Sequence, residues 1–269
     1  MAETKKGVSG TREWSHSSVN CMSGCSNGCW YCYARATASG RTKTKDTEDW
    51  TNDKPIPDKI HKRFGKREGT VMFPTQHDLT PGNMKYTIAV LQSLLRVGNR
   101  VLVVSKPHPE VIEQLTRAVE GYEDQILFRF TIGSIDPSVL GMWEPFAPTV
   151  AERIFCLVYA ERAGFKTSVS MEPLLCPDIP STIQAVDTFY PYITDAIWIG
   201  KMNHAAARLK INKAPPAAIN AANFLEGAWN DDAIHELYRR LKDHSLVKWK
   251  ESIKKIVGIE VPTEAGLDI

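Results

Sequence analysis

From residue 70 onward the chain alternates short apolar runs with stretches whose apolar residues recur at helical spacing. Thr70-Val-Met-Phe-Pro74 reads as a strand closed by proline, and Lys85–Val97 follows with Ile88, Leu91, Leu94 and Leu95 on one helical face. Arg100–Ser105 contains Val-Leu-Val-Val, a continuous apolar run of the kind that parallel sheets bury on both faces. The same rhythm predicts a helix over Pro109–Val119, a strand over Gln125–Ile132, a helix over Val150–Ala163 stopped by Gly164, and a strand over Lys166–Glu172. A helix over Ser181–Phe189 and a strand over Ala196–Ile199 come next, then helices over Asp231–Lys242 and Lys248–Ile256. Upstream, residues 1–20 read as irregular and become extended near Glu13–Asn20. Tyr33–Ser39 starts a helix that Gly40 ends, and residues 41–69 read as loop with a short helix near Lys59–Phe64.

Strand and helix alternate with crossovers long enough to return the chain to the same edge, which predicts a parallel sheet of right-handed βαβ units. With the extended segment ahead of residue 20, about six strands are expected, fitting either a partial (β/α) barrel or a doubly wound sheet. Both architectures put chemistry at the carboxyl ends of the strands. Polar residues gather there: Thr75-Gln-His-Asp78, Ser105-Lys106, Gly133-Ser-Ile-Asp136, Glu172-Pro173 and Gly200-Lys-Met-Asn203.

Composition narrows the class. Of 269 residues, 43% are hydrophobic and 24% charged, too apolar and too balanced for a disordered chain. The 33 Lys and Arg against 31 Asp and Glu leave a formal +2, which argues against a general polyanion binder but not against a local basic groove. Two basic clusters, Lys59–Arg67 and Lys248–Lys255, are either solvated faces or tracks for a phosphate backbone. No run approaches the ~20 apolar residues of a membrane span. Met1–Gly10 lacks an apolar signal core, so a cytoplasmic protein with no membrane partner is expected.

The cysteines change the picture most. Four of the six, Cys21, Cys25, Cys29 and Cys32, fall within twelve residues, unlike the dispersed cysteines of a disulfide framework. Cys25-x3-Cys29-x2-Cys32 sets three thiolates on one tight loop, as a cubane iron–sulfur cluster requires, and leaves one iron open to a substrate or cofactor. Gly24 and Gly28 let the backbone curl around it. The rival is a structural zinc ion held by all four, against which stands the usual wide separation of zinc-binding pairs. Cys21 reads as a bystander. Cys156, within Ile154-Phe-Cys-Leu-Val158, reads as core, and His16, His61, His77 and His108 show no paired ligand spacing.

The stretch Gly24-Cys25-Ser-Asn-Gly28-Cys29-Trp-Tyr31-Cys32-Tyr33-Ala34-Arg35 resembles the radical S-adenosylmethionine (SAM) superfamily. It is most similar to the spore photoproduct lyase-like, or DNA repair photolyase-like, branch. The likeness extends to Gln76-His-Asp78-Leu-Thr-Pro81, to Ser105-Lys106 at a strand end, and to Glu144-Pro-Phe-Ala-Pro148 with Arg153. It covers residues of about 13 to 205. Ser170-Met-Glu172-Pro173-Leu-Leu175 and Val247-Lys-Trp-Lys-Glu-Ser-Ile253 are similar to phage-type relatives. Two features depart from the pattern: Cys21 stands where the family often has proline, and no cysteine aligns with the lyase's hydrogen donor.

The resemblance implies an α/β fold, a partial (β/α)6 TIM-like barrel over 1–205, with a helical extension over 206–269 packed on it. It implies a [4Fe-4S] cluster on Cys25, Cys29 and Cys32, with SAM at the open iron. Reductive cleavage of SAM would give a 5′-deoxyadenosyl radical, with an electron donor such as flavodoxin or ferredoxin. The substrate implied is a DNA or nucleotide base, the reaction lyase-like, and the chain a monomer. The alternatives are another nucleotide or small metabolite as substrate, or a zinc-binding nucleic-acid module without catalysis. For SAM, Tyr31 is a candidate beside the adenine, Asp78 for the amino group and Lys106, with Ser105, for the carboxylate. Arg153 would take a carboxylate or Glu144, Glu172 a ribose hydroxyl, and Lys201 and Asn203 SAM or substrate. Cys176 is a candidate hydrogen donor to a product radical. Each has a plainer reading: a core aromatic, a turn-capping Asp, a solvated lysine, a small buried hydrophobe.

Overall fold

The computed structural model describes residues 7–41 and 47–267. Seven parallel strands form one sheet in chain order: β1 (Ser17–Ser18), β2 (Thr70–Phe73), β3 (Arg100–Ser105), β4 (Ile126–Thr131), β5 (Lys166–Met171), β6 (Ile197–Ile199) and β7 (Val247–Trp249). This is an α/β partial barrel. The seventh strand and the placing of its neighbours correct the sequence reading. Lys248–Ile256 is not one helix, because β7 adds to the edge of the sheet beside β6 and only Glu251–Val257 is helical. The short helix expected near Lys59–Phe64 lies at Pro57–Ile60, where Pro57 presets the first turn. Helices at Pro137–Trp143, Ala205–Ile211 and Pro216–Ala228 were not expected from the pattern.

Strand residues alternate between two cores, because successive side chains leave opposite faces of a strand. Val71, Phe73, Val101, Val103, Phe128, Phe130, Val169, Met171, Ile197 and Ile199 face the outer helices and belong to the large core. The helices that cover them are α1 (Tyr33–Arg41), α2 (Met84–Leu95), α3 (Pro109–Ala118), α4 (Val150–Arg162) and α5 (Ile179–Phe189). Leu91, Leu94 and Leu115 are fully buried on that side, each worth about 1.5–3 kcal/mol relative to exposure. The intervening residues Met72, Leu102 and Trp198 meet Trp14 in a second core, inside the barrel. Start signals are explicit where the helices carry them. Thr149 and Glu152 make a capping box on α4, and Asp178 caps α5 by accepting from Ser181 N–H.

Segments of the described chain before β1 and after β7 bond to each other. Val8 N–H donates to Pro262 O at 2.8 Å and Gly266 N–H to Arg12 O at 2.8 Å. Among the described residues no helix is long and apolar enough to cross a membrane.

Candidate active site

The strands end in a cavity of about 510 Å³, of the size that holds a small-molecule cofactor. Cys25, Cys29 and Cys32 line one wall with Tyr31. Residues after β2 (Thr75–Asp78), β3 (Lys106), β5 (Glu172 and Pro173) and β6 (Lys201, Met202 and Asn203) line the rest. Trp14, Met72, Val104, Thr131 and Ser170 reach it from inside the barrel. Four of the five strand-end groups singled out in the sequence therefore converge, as parallel βα units require, while Gly133-Ser-Ile-Asp136 after β4 stays off the wall.

The cysteine loop is built by backbone conformations that exclude larger residues. Gly24 has φ +99° and a Cβ there would lie 2.6 Å from Trp50 O; Gly28 has φ +62° and its Cβ would lie 2.8 Å from Phe146 Cδ2. Asp78 anchors the loop. One of its oxygens accepts from Ser105 Oγ–H (3.0 Å) and Lys106 N–H (2.7 Å); the other accepts from Asn27 Nδ2–H (2.9 Å) and faces Lys106 Nζ at 3.4 Å. Against the opposing cost of burial, the Lys106 ammonium and these donors hold the Asp78 carboxyl at about 2. Lys106 is itself held well above the usual lysine value by Asp78, although burial opposes it. The ammonium stands 5.8 Å from the Tyr31 ring centroid.

The donor set fits an iron–sulfur cluster. Three thiols face one cavity, and Lys106 supplies positive charge beside them. Burial pushes Cys29 up to about 12 and raises Cys25 and Cys32, so thiolates form there only with a cation to bind them. Cys21 stands apart. It is fully buried, its thiol is pushed up to about 12, and its N–H donates to His77 Nε2 at 3.2 Å. With Nε2 accepting, Nδ1 carries the proton and donates to Asp78 O at 3.1 Å. Burial lowers the His77 pKa.

Several expected site residues are placed elsewhere. Arg153 is 1% exposed and does not line the cavity. Its guanidinium pairs with Glu144 and donates to Pro148 O (2.8 Å) and Thr131 O (3.1 Å), so all three of its nitrogens are engaged with the protein. Glu144 also accepts from the Tyr31 hydroxyl, so the pair supports the cysteine loop from behind. Ser105 is likewise off the cavity wall and serves Asp78. Cys176 is fully buried, with Sγ 3.7 Å from Gly133 O and from Ser181 O, and is not among the residues lining the cavity. No lysine or arginine of the two basic clusters lines the cavity. Lys66 and Arg67 bind Gly98 O, Ser17 Oγ and Ser18 O near the amino ends of β3 and β1, while Lys250 is buried and Lys255 pairs with Glu251.

Other contributors were not legible as site residues. Asn212, fully buried, donates from Nδ2 to Trp30 O (2.8 Å) and Cys32 O (2.9 Å) and clasps the cysteine loop from the far side. Asn27, Arg12 and Arg208 also belong to the loop or the wall. For Asn27 the signal was its place between two ligand positions; for Asn212 and Arg12 the sequence holds none.

No protein-family model and no curated protein matches the sequence. Solved structures do. A spore photoproduct lyase mutant with bound AdoMet and dinucleoside spore photoproduct matches with a TM-score of 0.55 and 12% identity, over 92% of this chain and 79% of that one. A second lyase mutant with dinucleoside spore photoproduct gives 0.51 and 16%, over 78% and 64%. Streptococcus suis SuiB bound to precursor peptide SuiA gives 0.56 and 10%, over 91% and 51%. The chain thus spans 64% of that second lyase structure and about half of SuiB. The chain shares the partial-barrel fold of spore photoproduct lyase and SuiB, both of them radical SAM enzymes.

Proposed function

We propose that the chain is a radical SAM enzyme acting on a nucleic-acid base, in repair or modification of the photolyase-like kind. A [4Fe-4S] cluster would supply the electron that cleaves SAM to methionine and a hydrogen-abstracting 5′-deoxyadenosyl radical. The observation that carries the reading is the meeting of Cys25, Cys29 and Cys32 with strand-end polar residues around one cavity. Cys25, Cys29 and Cys32 hold the cluster. Asp78 fixes their loop through Asn27 and keeps Lys106 charged beside it. Lys106 offers its ammonium to the SAM carboxylate, and Asp78 with the loop backbone meets the amino group. Tyr31 packs beside the adenine, Glu172 accepts from the ribose, and Lys201 and Asn203 face SAM or substrate at the rim. The barrel walls exclude water from a cavity where a radical must not be quenched. A base lies within reach of such a cavity only when turned out of its stack.

The test is anaerobic reconstitution. The wild-type protein should bind iron and sulfide and release 5′-deoxyadenosine from SAM under reduction, and Cys25→Ala/Cys29→Ala/Cys32→Ala should do neither. A colourless protein holding one zinc sinks the reading. Incubation with deuterated oligonucleotide should move label into 5′-deoxyadenosine. Label arriving only from free nucleotides would shift the substrate to a small molecule.

A further inference from the structure

The motif Val247-Lys-Trp-Lys-Glu-Ser-Ile253 lies outside the cysteine loop and the strand-end polar clusters, yet its Lys250 touches three residues of the cavity wall, Gly10, Trp14 and Glu172. Lys250 follows β7 directly, and its N–H donates to Ile199 O at 2.9 Å, extending the pairing with β6 by one residue. The side chain is 1% exposed and passes inward beside Gly200, where a Cβ would lie 2.8 Å from Lys250 Cβ and Cγ and 3.2 Å from Glu172 Cγ. Inside, Nζ stands 2.8 Å from Glu13 Oε1, 2.9 Å from Gly10 O and 3.4 Å from Glu172 Oε2, with the Trp14 ring centroid 3.7 Å away. The two carboxylates differ in kind. Glu13 is 1% exposed, and its second oxygen accepts from Glu251 N–H at 2.8 Å, so both oxygens serve the chain itself. Glu172 lines the cavity, its side chain is 23% exposed, and Lys250 is its one ion-pair partner among the described residues.

We propose that Lys250 is a positioning residue: it fixes the Glu172 carboxylate at the cavity wall so that the free oxygen receives the vicinal diol of the bound nucleoside. The inference rests on the reading of the cavity as a SAM site. A carboxylate suits a diol because it accepts two hydroxyl donors and offers none back. Its rotamer is costly to fix unless something behind it does so, and the buried Lys250 ammonium, ion-paired to Oε2 at 3.4 Å, does this by charge attraction. Gly200 is required for the passage of the Lys250 stem, and the C-terminal motif delivers it.

Equilibrium binding of SAM and of its 2′,3′-dideoxy analogue to the reconstituted holoprotein tests this, with Lys250→Met, Glu172→Gln and the double variant. Wild type should favour SAM over the analogue by about tenfold, the scale of a lost charge-assisted contact. Each single variant should lose that preference, and the double variant should bind SAM no more weakly than Glu172→Gln. Lys250→Gln keeps a donor for Glu13 and Gly10 O without the charge; it serves the same test if Lys250→Met does not fold, with circular dichroism and iron content as the checks. A folded Lys250 variant that keeps the diol preference, or losses that multiply in the double variant, overturn the proposal alone. Wild-type holoprotein that binds no SAM overturns the SAM reading and this inference with it.

Discussion

The hydroxyl of Tyr31, next to Cys32 and two residues from Cys29, donates to Glu144, and Glu144 also pairs with buried Arg153. A residue read as a cofactor contact is thereby the end of a buried polar chain that fixes the loop. Glu144→Ala should leave the Arg153 guanidinium buried beside carbonyls alone and cost about 3–5 kcal/mol. Tyr31→Phe removes one hydrogen bond and should cost about 1–3 kcal/mol. Urea denaturation measures both, and equal losses in the two variants would contradict the shared role of Glu144.

Asp78→Asn takes the charge from Lys106 at a site where the Asp78 and Lys106 side chains are 12% and 11% exposed. A loss of about 3–5 kcal/mol is expected, with weaker iron retention because the amide mismatches the donors that now hold Asp78. Adding Lys106→Met to Asp78→Asn should recover part of the stability, since the stranded charge is gone. A double variant as unstable as the sum of its parts would show the two side chains to be uncoupled.

Cys21→Ala should keep full iron content and SAM cleavage in the reconstituted protein. The Cys21 thiol is buried behind His77, held neutral far above physiological pH, and serves packing. Its removal should cost about 1–2 kcal/mol, the scale of a small buried apolar group. Loss of iron from this variant would make Cys21 a ligand.

Burial raises the Glu13 carboxyl above its usual value, with Lys250 opposing. The folded protein therefore holds a proton on Glu13 at pH values where the unfolded chain has released it. The unfolded state binds fewer protons in that window, so this group's contribution falls as pH rises from the ordinary glutamate value to the raised one. Glu13→Gln removes that slope. The difference in melting temperature between wild type and Glu13→Gln, followed from pH 4 upward, should shift against wild type as pH rises before levelling. A difference independent of pH would contradict it.

The strands from Thr70 to Ile199 were legible because period-2 and apolar-run patterns report burial on both faces, and the helices between them because their buried face repeats every third or fourth residue. β7 was not. Val247-Lys-Trp is short, bears a lysine at its centre, and becomes a strand only because β6 offers an open edge. The site divides in the same way. Cys25, Cys29 and Cys32 announce themselves by spacing, and Asp78, Lys106 and Glu172 by position at strand ends. Ser105 carries the same strand-end signal and Arg153 the helical place after Glu144–Pro148, yet both point into protein, since a residue's side of a wall is decided by tertiary packing. Asn212 and Lys250 act across 180 and 240 residues of chain and leave no local trace.

The clasp of Asn212 on the carbonyls of Trp30 and Cys32 sets an order in time. The cysteine loop is synthesised 180 residues ahead of Asn212, its clasp, and further still ahead of Lys250. A nascent chain stalled before that point exposes three thiols on an unsupported loop. The cysteine loop therefore gains its full support late, after Asn212 and the closing of the sheet by β7.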